Sequence, residues 1–149
     1  MKQRIYLDTS VLSALGDTRA PDRQVLTREF FDRIDEFEVA TSELTRTEIE
    51  NTRDDARRAE LLGLLSAFTL LPVMSEAEQL SQEYLAAGVF TLSTAEDGLH
   101  VAIAVLSRQD VLVSWNFKHL VNQRRRAAVQ AINARLGLPP IAILPPPEL

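Results

Sequence analysis

Apolar residues along the chain fall into short continuous runs, separated by longer segments with a helical repeat. Short runs rich in branched side chains are typical of strands buried on both faces of a parallel sheet. Five such runs predict strands over residues 4–7, 37–41, 69–73, 111–114 and 141–144. The segments between them are too long for hairpins, so we expect parallel strands joined by helical crossovers. The pattern predicts a single α/β domain over residues 1–149.

Polar residues and prolines mark where the intervening helices begin. Ser75 and Ser93 each precede a glutamate by three positions, which is the pattern of a capping box. A further helix begins at Pro21, and four apolar residues in it are predicted to face the core: Val25, Leu26, Phe30 and Ile34. The other helices are predicted over residues 9–15, 42–52, 55–67, 75–87, 93–108 and 123–136.

The composition narrows the classes of protein to which the chain can belong. It has no cysteine and two histidines, which excludes disulfides and thiolate metal sites and disfavours a histidine-rich zinc site. No segment has the apolar length of a secretory signal or a membrane span, so we expect a cytoplasmic protein with no membrane contact. A net charge of −5 argues against a broad basic surface for nucleic acid. It does not exclude a nuclease, because a site rich in carboxylates contributes negative charge itself.

Candidate chemistry lies just beyond the predicted strands. Asp8 follows the first strand, and Ser114 and Asn116 follow the run at 111–114. Ligands of open parallel sheets bind outside the carboxyl ends of the strands. Glu48 and Asp97 lie on helices that can reach the same edge. Three carboxylates without cysteine suit a hard cation such as Mg²⁺ or Mn²⁺, which supports phosphoryl chemistry.

Each of these acids also has a purely structural interpretation. Asp8 is a possible helix N-cap, although Thr9 and Ser10 can cap without it. Asp97 is a possible first-turn acid favoured by the helix dipole, and Glu48 a possible exposed helical glutamate. Three neighbouring acids are assigned to other roles, by helix position or by helix face: Glu43, Glu50 and Glu96.

Three segments resemble the PIN domain family, and more narrowly the VapC-like ribonucleases of bacterial toxin–antitoxin pairs: IYLDTSVLSAL, TSELTRTEIE and EDGLHVAIAVLSRQDVLVSWNFKHLVN. The resemblance covers essentially the whole chain in the expected order. It implies a three-layer α/β/α fold, with a parallel sheet of about five strands and helices on both faces. It also implies RNA cleavage with one or two Mg²⁺ or Mn²⁺ ions. By motif, it assigns the metal ligands to Asp8, Glu48 and Asp97.

The chain departs from the family pattern after the fourth strand. The family often has Thr or Ser, any residue, then Asp, whereas this chain has Ser114-Trp115-Asn116. Asn116 keeps a carbonyl oxygen but lacks the charge, so we expect weaker metal binding or a single well-held ion. We expect Asn116 to assist catalysis through its carbonyl or through a bound water.

Residues around the predicted site supply candidate contacts to RNA. The candidates are Ser114, Lys118, His119, Arg124, Arg125 and Arg126. The three arginines contact RNA or an antitoxin, or else form a solvated helix start. His100 is expected to be partly buried and bonded to backbone, the alternative being that it orients a ligand or touches phosphate. Trp115 either stacks on a base or packs beside the strand.

The sequence thus predicts an Mg²⁺- or Mn²⁺-dependent endoribonuclease that acts as a toxin. Its predicted partners are RNA, a small cognate antitoxin and a second copy of the chain. A metal-activated water would attack the phosphodiester, so no side-chain nucleophile is needed. An aspartyl-phosphate phosphohydrolase is disfavoured because Ser10 stands where its second aspartate belongs. The remaining alternative is a catalytically weak or inactive PIN-like module that binds RNA or protein, which Mn²⁺ titration distinguishes.

Overall fold

All five predicted strands form, and they pair in one parallel sheet. The computed structural model describes residues 1–149. Its strands are β1 (Gln3–Leu7), β2 (Phe37–Ser42), β3 (Thr69–Leu71), β4 (Val111–Val113) and β5 (Ala142–Leu144). Every neighbouring pair is parallel, in the order β3-β2-β1-β4-β5. The predicted fold class is confirmed.

The strand order places β1 at the centre of the sheet and creates a reversal beside it. Ile5, Tyr6 and Leu7 are fully buried there. The chain passes from β1 to β2 and β3 on one side, and later adds β4 on the other side of β1. The crevice at such a reversal, outside the carboxyl ends of the strands, is where open α/β sheets bind ligands. Residues that directly follow β1 and β4 therefore meet at this crevice.

Helices cover both faces of the sheet. They are α1 (Thr9–Ala14), α2 (Pro21–Asp32), α3 (Glu43–Glu50), α4 (Asp55–Leu65), α5 (Ser75–Ala86), α6 (Ala95–Leu106) and α7 (Gln123–Arg135). Successive strand residues point to opposite faces, so they enter two separate cores. Tyr6 and Leu112 pack with α5, α6 and α7, whereas Ile5 and Leu7 pack with α1, α2 and α4. The predicted three-layer α/β/α arrangement is confirmed. No helix combines the length and the apolar character needed to cross a bilayer.

The predicted buried stripe of α2 is wrong in part. Val25 is 52% exposed and Leu26 37% exposed, whereas Thr27 is fully buried beside the predicted Phe30. The Thr27 hydroxyl is satisfied internally, because it accepts from Trp115 Nε1 at 2.8 Å and donates to a carbonyl of its own helix. A polar side chain bonded in this way is readily buried. The helix therefore turns its face at residues 27 and 30 to the core.

Both predicted capping boxes are also wrong. Ser75 is the first residue of α5, and Met74 precedes it as an N-cap without a side-chain bond. Ser93 lies inside a short 3₁₀ turn, and the capping box there joins Thr91 and Thr94 instead. A side chain caps only from the residue before the first helical turn. A shift of one or two residues in the helix start is therefore enough to displace the box.

Gly98 of α6 allows the helix to pack closely against Phe90. A Cβ at Gly98 would lie 2.9 Å from Phe90 Cδ2, whereas a Cβ at Gly63 of α4 would meet nothing within 4 Å. We expect Gly63→Ala to raise the free energy of unfolding by about 0.5–1 kcal/mol through helix propensity. The free energy of unfolding of Gly98→Ala should be about 1–3 kcal/mol lower than that of Gly63→Ala, because the added methyl group overpacks the contact with Phe90. Urea unfolding of both variants measures the difference, and equal shifts would contradict the close packing.

Candidate active site

Asp8 follows β1 directly and is both a helix cap and a fixed carboxylate. Its Oδ1 accepts from the backbone N–H groups of Ser10 and Val11 at 3.0 and 3.4 Å. The Ser10 hydroxyl donates to Oδ1 and the Ser114 hydroxyl to Oδ2, both at 2.5 Å. Thr9 and Ser10 therefore do not replace it as the cap. Burial raises the pKa of Asp8 despite these bonds, because the ionised form has lost most of its water.

Glu48 reaches the same edge from α3. Its side chain is 28% exposed, so it is not the solvated helical glutamate of the structural interpretation. Oε1 accepts from the Thr9 hydroxyl at 3.0 Å and contacts His100 Nε2 at 2.5 Å. Burial alone would raise the pKa of Glu48, but the bond and charge of His100, with the Thr9 bond, bring it below its usual value.

His100 links Glu48 to the sheet. It is 2% exposed, and its Nδ1 lies 2.6 Å from Tyr6 Oη, which lies 2.6 Å from Ser42 Oγ. The expected bond from His100 to backbone is wrong, because both ring nitrogens meet side chains. Burial disfavours the imidazolium, but Glu48, and then Asp8 and Asp97, raise the pKa of His100 above its usual value. A protonated His100 donates to Glu48 and Tyr6 at once, which holds the Glu48 carboxylate in place.

Asp97 enters the site from the first turn of α6. Burial raises its pKa, and the charges of Asp8 and Glu48 raise it further, against the opposing effects of His100 and His119. Asn116 Nδ2 donates to Asp97 Oδ1 at 3.4 Å. The side-chain carbonyl oxygen of Asn116, Oδ1, accepts from the His119 backbone N–H at 3.0 Å. Asn116 thus contacts Asp97 through its side-chain NH₂, and assistance to catalysis through its carbonyl or a bound water stays a prediction.

The oxygen donors at this edge fit a hard cation with few protein ligands. No group of three or more acidic or histidine side chains is close enough to form a ready-made metal cluster. Mg²⁺ keeps several waters and binds through one or two carboxylates in many phosphoryl-transfer sites. Asp8 is buried and Asp97 half-buried, and the pKa values of both are raised, so neighbouring positive charge compensates their ionised forms only in part. A divalent cation would supply that charge. That all three acids bind it stays a prediction.

The predicted substrate residues separate into distinct places. Lys118, Arg124 and Arg125 line one depression of about 490 Å³. Arg126 lies in a different depression with Gln123, Ala127 and Gln130. Ser114 is fully buried and supports Asp8, so it cannot contact substrate as predicted. The charge of His119 acts on Asp97, whose pKa it lowers. Only part of the predicted set therefore adjoins the acids.

Several residues of the site were not identified from the sequence. Tyr6, Ser42 and Thr9 hold His100 and Glu48. The pattern counts Tyr6 as an apolar strand residue, and nothing in the sequence reveals its hydroxyl partner. The spacing of Asp97 and His100 on one helical face was the available signal for His100. For Trp115 the packing alternative is confirmed, since it is 6% exposed and bonded to Thr27.

Comparison with known proteins identifies the family and the fold. The family model for the PIN domain matches residues 5–118. No curated protein matches the sequence. The fold is similar to a toxin–antitoxin complex from Klebsiella pneumoniae at 18% identity and TM-score 0.58, covering 77% of this chain and 88% of that one.

Two further solved structures share the fold over nearly the full length. VapBC2 from Rickettsia felis, bound to a DNA fragment from its promoter, is 15% identical with TM-score 0.57, covering 95% of this chain and 98% of that one. VapBC-5 from Mycobacterium tuberculosis, of the VapBC family of toxin–antitoxin systems, is 20% identical with TM-score 0.50, covering 94% and 96%. The match of the family model to three quarters of the sequence leads to one conclusion: the chain belongs to the PIN domain family.

Proposed function

We propose that the protein is a metal-dependent endoribonuclease and the toxin of a toxin–antitoxin pair. The carrying observation is the raised pKa of Asp8, which follows β1 at the reversal, and of Asp97, whose pKa the charges of Asp8 and Glu48 also raise. Membership of the PIN domain family and similarity to toxin–antitoxin structures support the same function. Its partners would be RNA, a small cognate antitoxin and a second copy of the chain, in the cytoplasm.

In this proposal each side chain has a distinct task. Asp8, Glu48 and Asp97 would hold Mg²⁺ or Mn²⁺, and Asn116 orients Asp97 through its amide. The bound ion supplies an activated water and neutralises charge on the phosphodiester. Ser10 and Ser114 fix both oxygens of Asp8, while His100 fixes Glu48. Ligands held in this way need little reorganisation when the substrate arrives.

The direct test is cleavage of a labelled single-stranded RNA by the purified protein. Internal cleavage is expected with Mn²⁺ or Mg²⁺ and none with EDTA, with recovery when metal is restored. Undiminished cleavage in EDTA would contradict the metal site. No cleavage, with no specific Mn²⁺ binding in calorimetry, would favour the non-catalytic module. Co-purification with the product of the neighbouring small reading frame tests the antitoxin separately.

The basic depression beside the acids is expected to bind the RNA backbone. Lys118, Arg124 and Arg125 line it, and none of them forms an ion pair within the chain. Arg124→Ala should weaken RNA binding and reduce the slope of log affinity against log salt by about 0.7. Arg126→Ala is the matched control, because Arg126 lines another depression, and it should leave the slope unchanged. Equal slopes for the two variants would remove Arg124 from the RNA surface.

A further inference from the structure

Phe117 is an exposed aromatic residue next to the candidate active site. Its side chain is 46% exposed, whereas every other Phe, Tyr and Trp of the chain is buried or half-buried. It directly follows Asn116, whose amide contacts Asp97. The Phe117 ring belongs to neither hydrophobic core and forms none of the hydrogen bonds that hold the acids. Aromatic rings exposed beside a nucleic-acid site commonly serve as platforms on which bases stack.

Phe117 forms one wall of an open pocket of about 570 Å³, which is also lined by two residues bonded to the acids. Ser10 and Asn116 line the pocket, and they contact Asp8 at 2.5 Å and Asp97 at 3.4 Å. The pocket is therefore the space next to the position where the cleaved phosphodiester would lie. Its walls also carry polar groups from Ser13 and Asp17.

Arg23 adds a cation to the same pocket, where its guanidinium lies over two aromatic rings. Its guanidinium carbon lies 5.6 Å from the ring centre of Phe117 and 5.1 Å from that of Trp115. Arg23 forms no ion pair within the chain. An aromatic ring beside a guanidinium plane is the combination that stacks unpaired bases in RNA-binding proteins.

We propose that this pocket binds the nucleobase adjacent to the cleaved bond of an RNA that is unpaired at that point, with the base stacked against Phe117 and the Arg23 guanidinium that lies over its ring. The proposal rests on the proposed ribonuclease function and adds a base-binding pocket to its site. Phe117 and Lys118 also line the basic depression, so base and backbone would lie on opposite sides of the Phe117 ring. A base held in a duplex must first be unstacked at a free-energy cost. The pocket therefore selects single-stranded RNA.

A nucleobase suits the pocket better than an apolar protein side chain does. Only four of its ten lining residues are hydrophobic. An apolar anchor would leave the Ser13 hydroxyl and the Arg23 guanidinium without hydrogen-bonding partners on the ligand. The edge of a base offers donors and acceptors to the same groups.

The test is RNA binding in EDTA, where cleavage does not interfere. Short labelled single-stranded RNAs, each with one abasic position, are titrated and followed by fluorescence anisotropy. For the wild type, one abasic position should weaken binding by about 5- to 150-fold. Phe117→Ala should weaken binding of the intact RNA by a similar factor. Binding by this variant should no longer depend on whether that position is abasic. Phe117→Tyr keeps the ring and should retain the wild-type profile, as should Met74→Ala, which removes another exposed apolar side chain.

Trp115, the single tryptophan, provides a second readout of where the RNA binds. It lines the pocket, and its ring centre lies 6.1 Å from that of Phe117. Its fluorescence emission should therefore change to a plateau as intact RNA is added. It should not change with the RNA whose abasic position weakens binding.

Wild-type affinity in Phe117→Ala, or a flat abasic profile in the wild type, would overturn the base pocket. Loss of binding in Phe117→Ala without any abasic dependence would also overturn it, because the ring would then contact something other than a base. Failure of the ribonuclease proposal has a different signature, namely the absence of metal-dependent cleavage. The two failures are therefore distinguishable.

Discussion

Replacing Asp8 by asparagine is expected to lower RNA cleavage at least about 100-fold while the protein stays folded. The change removes the negative charge of a proposed metal ligand and keeps its shape. Asparagine is as good an N-cap as aspartate, so the side chain at position 8 still accepts from the Ser10 and Val11 backbone N–H groups of α1. Cleavage rates with saturating Mn²⁺ measure the loss of activity, and circular dichroism of the variant shows that it stays folded.

Asp110 offers a matched control for Asp8→Asn. It precedes β4, and its carboxylate accepts from the Arg4 backbone N–H at 2.8 Å, at the opposite end of the same two strands. Asp110→Asn makes the same chemical change away from the candidate site, so cleavage should stay at the wild-type rate. If Asp8→Asn cleaves as fast as Asp110→Asn, Asp8 is a structural cap alone.

The sheet was predictable because local pattern and tertiary burial agree in it. The run at 111–114 is apolar at every position up to Ser114, as a strand covered on both faces requires, and β4 forms there with all three residues buried. The prediction of the buried face of α2 was wrong in part because that face contains Thr27. The burial of Thr27 depends on a bond to Trp115, which lies far along the chain. Periodicity in one segment carries no information about such a partner.

The acids of the site were predictable from position, and their supports were not. Asp8 could be identified because it directly follows a strand in a parallel sheet. His100 and Tyr6 meet because β1 lies beneath α6, which follows from the order of the strands and not from spacing in the sequence. Phe117 was overlooked because exposure of an aromatic ring is a property of the folded surface.

Asp97→Asn is expected to raise the melting temperature of the metal-free protein. Burial and the charges of Asp8 and Glu48 raise the pKa of Asp97 in the folded state. An acid whose folded pKa is raised destabilises the fold at pH values above that pKa, so stability falls as pH rises through it. At neutral pH a neutral asparagine removes this cost. A first-turn acid favoured only by the helix dipole predicts the opposite sign, a loss of about 0.3–1 kcal/mol.

The same variant should abolish the stabilisation that the wild type gains from Mn²⁺. A ligand at a hundredfold excess over its Kd adds about 2.7 kcal/mol, or roughly 5–10 °C in melting temperature for a chain of this size. Asp22, an exposed acid in the first turn of α2, is the matched control. Asp22→Asn should melt slightly lower without metal and keep the full Mn²⁺ response. Thermal melts of the three proteins with EDTA and with Mn²⁺ separate the two accounts of Asp97 by sign. A lower melting temperature for Asp97→Asn, together with a wild type indifferent to Mn²⁺, would leave Asp97 as a helix-start acid and remove the metal from this edge of the sheet.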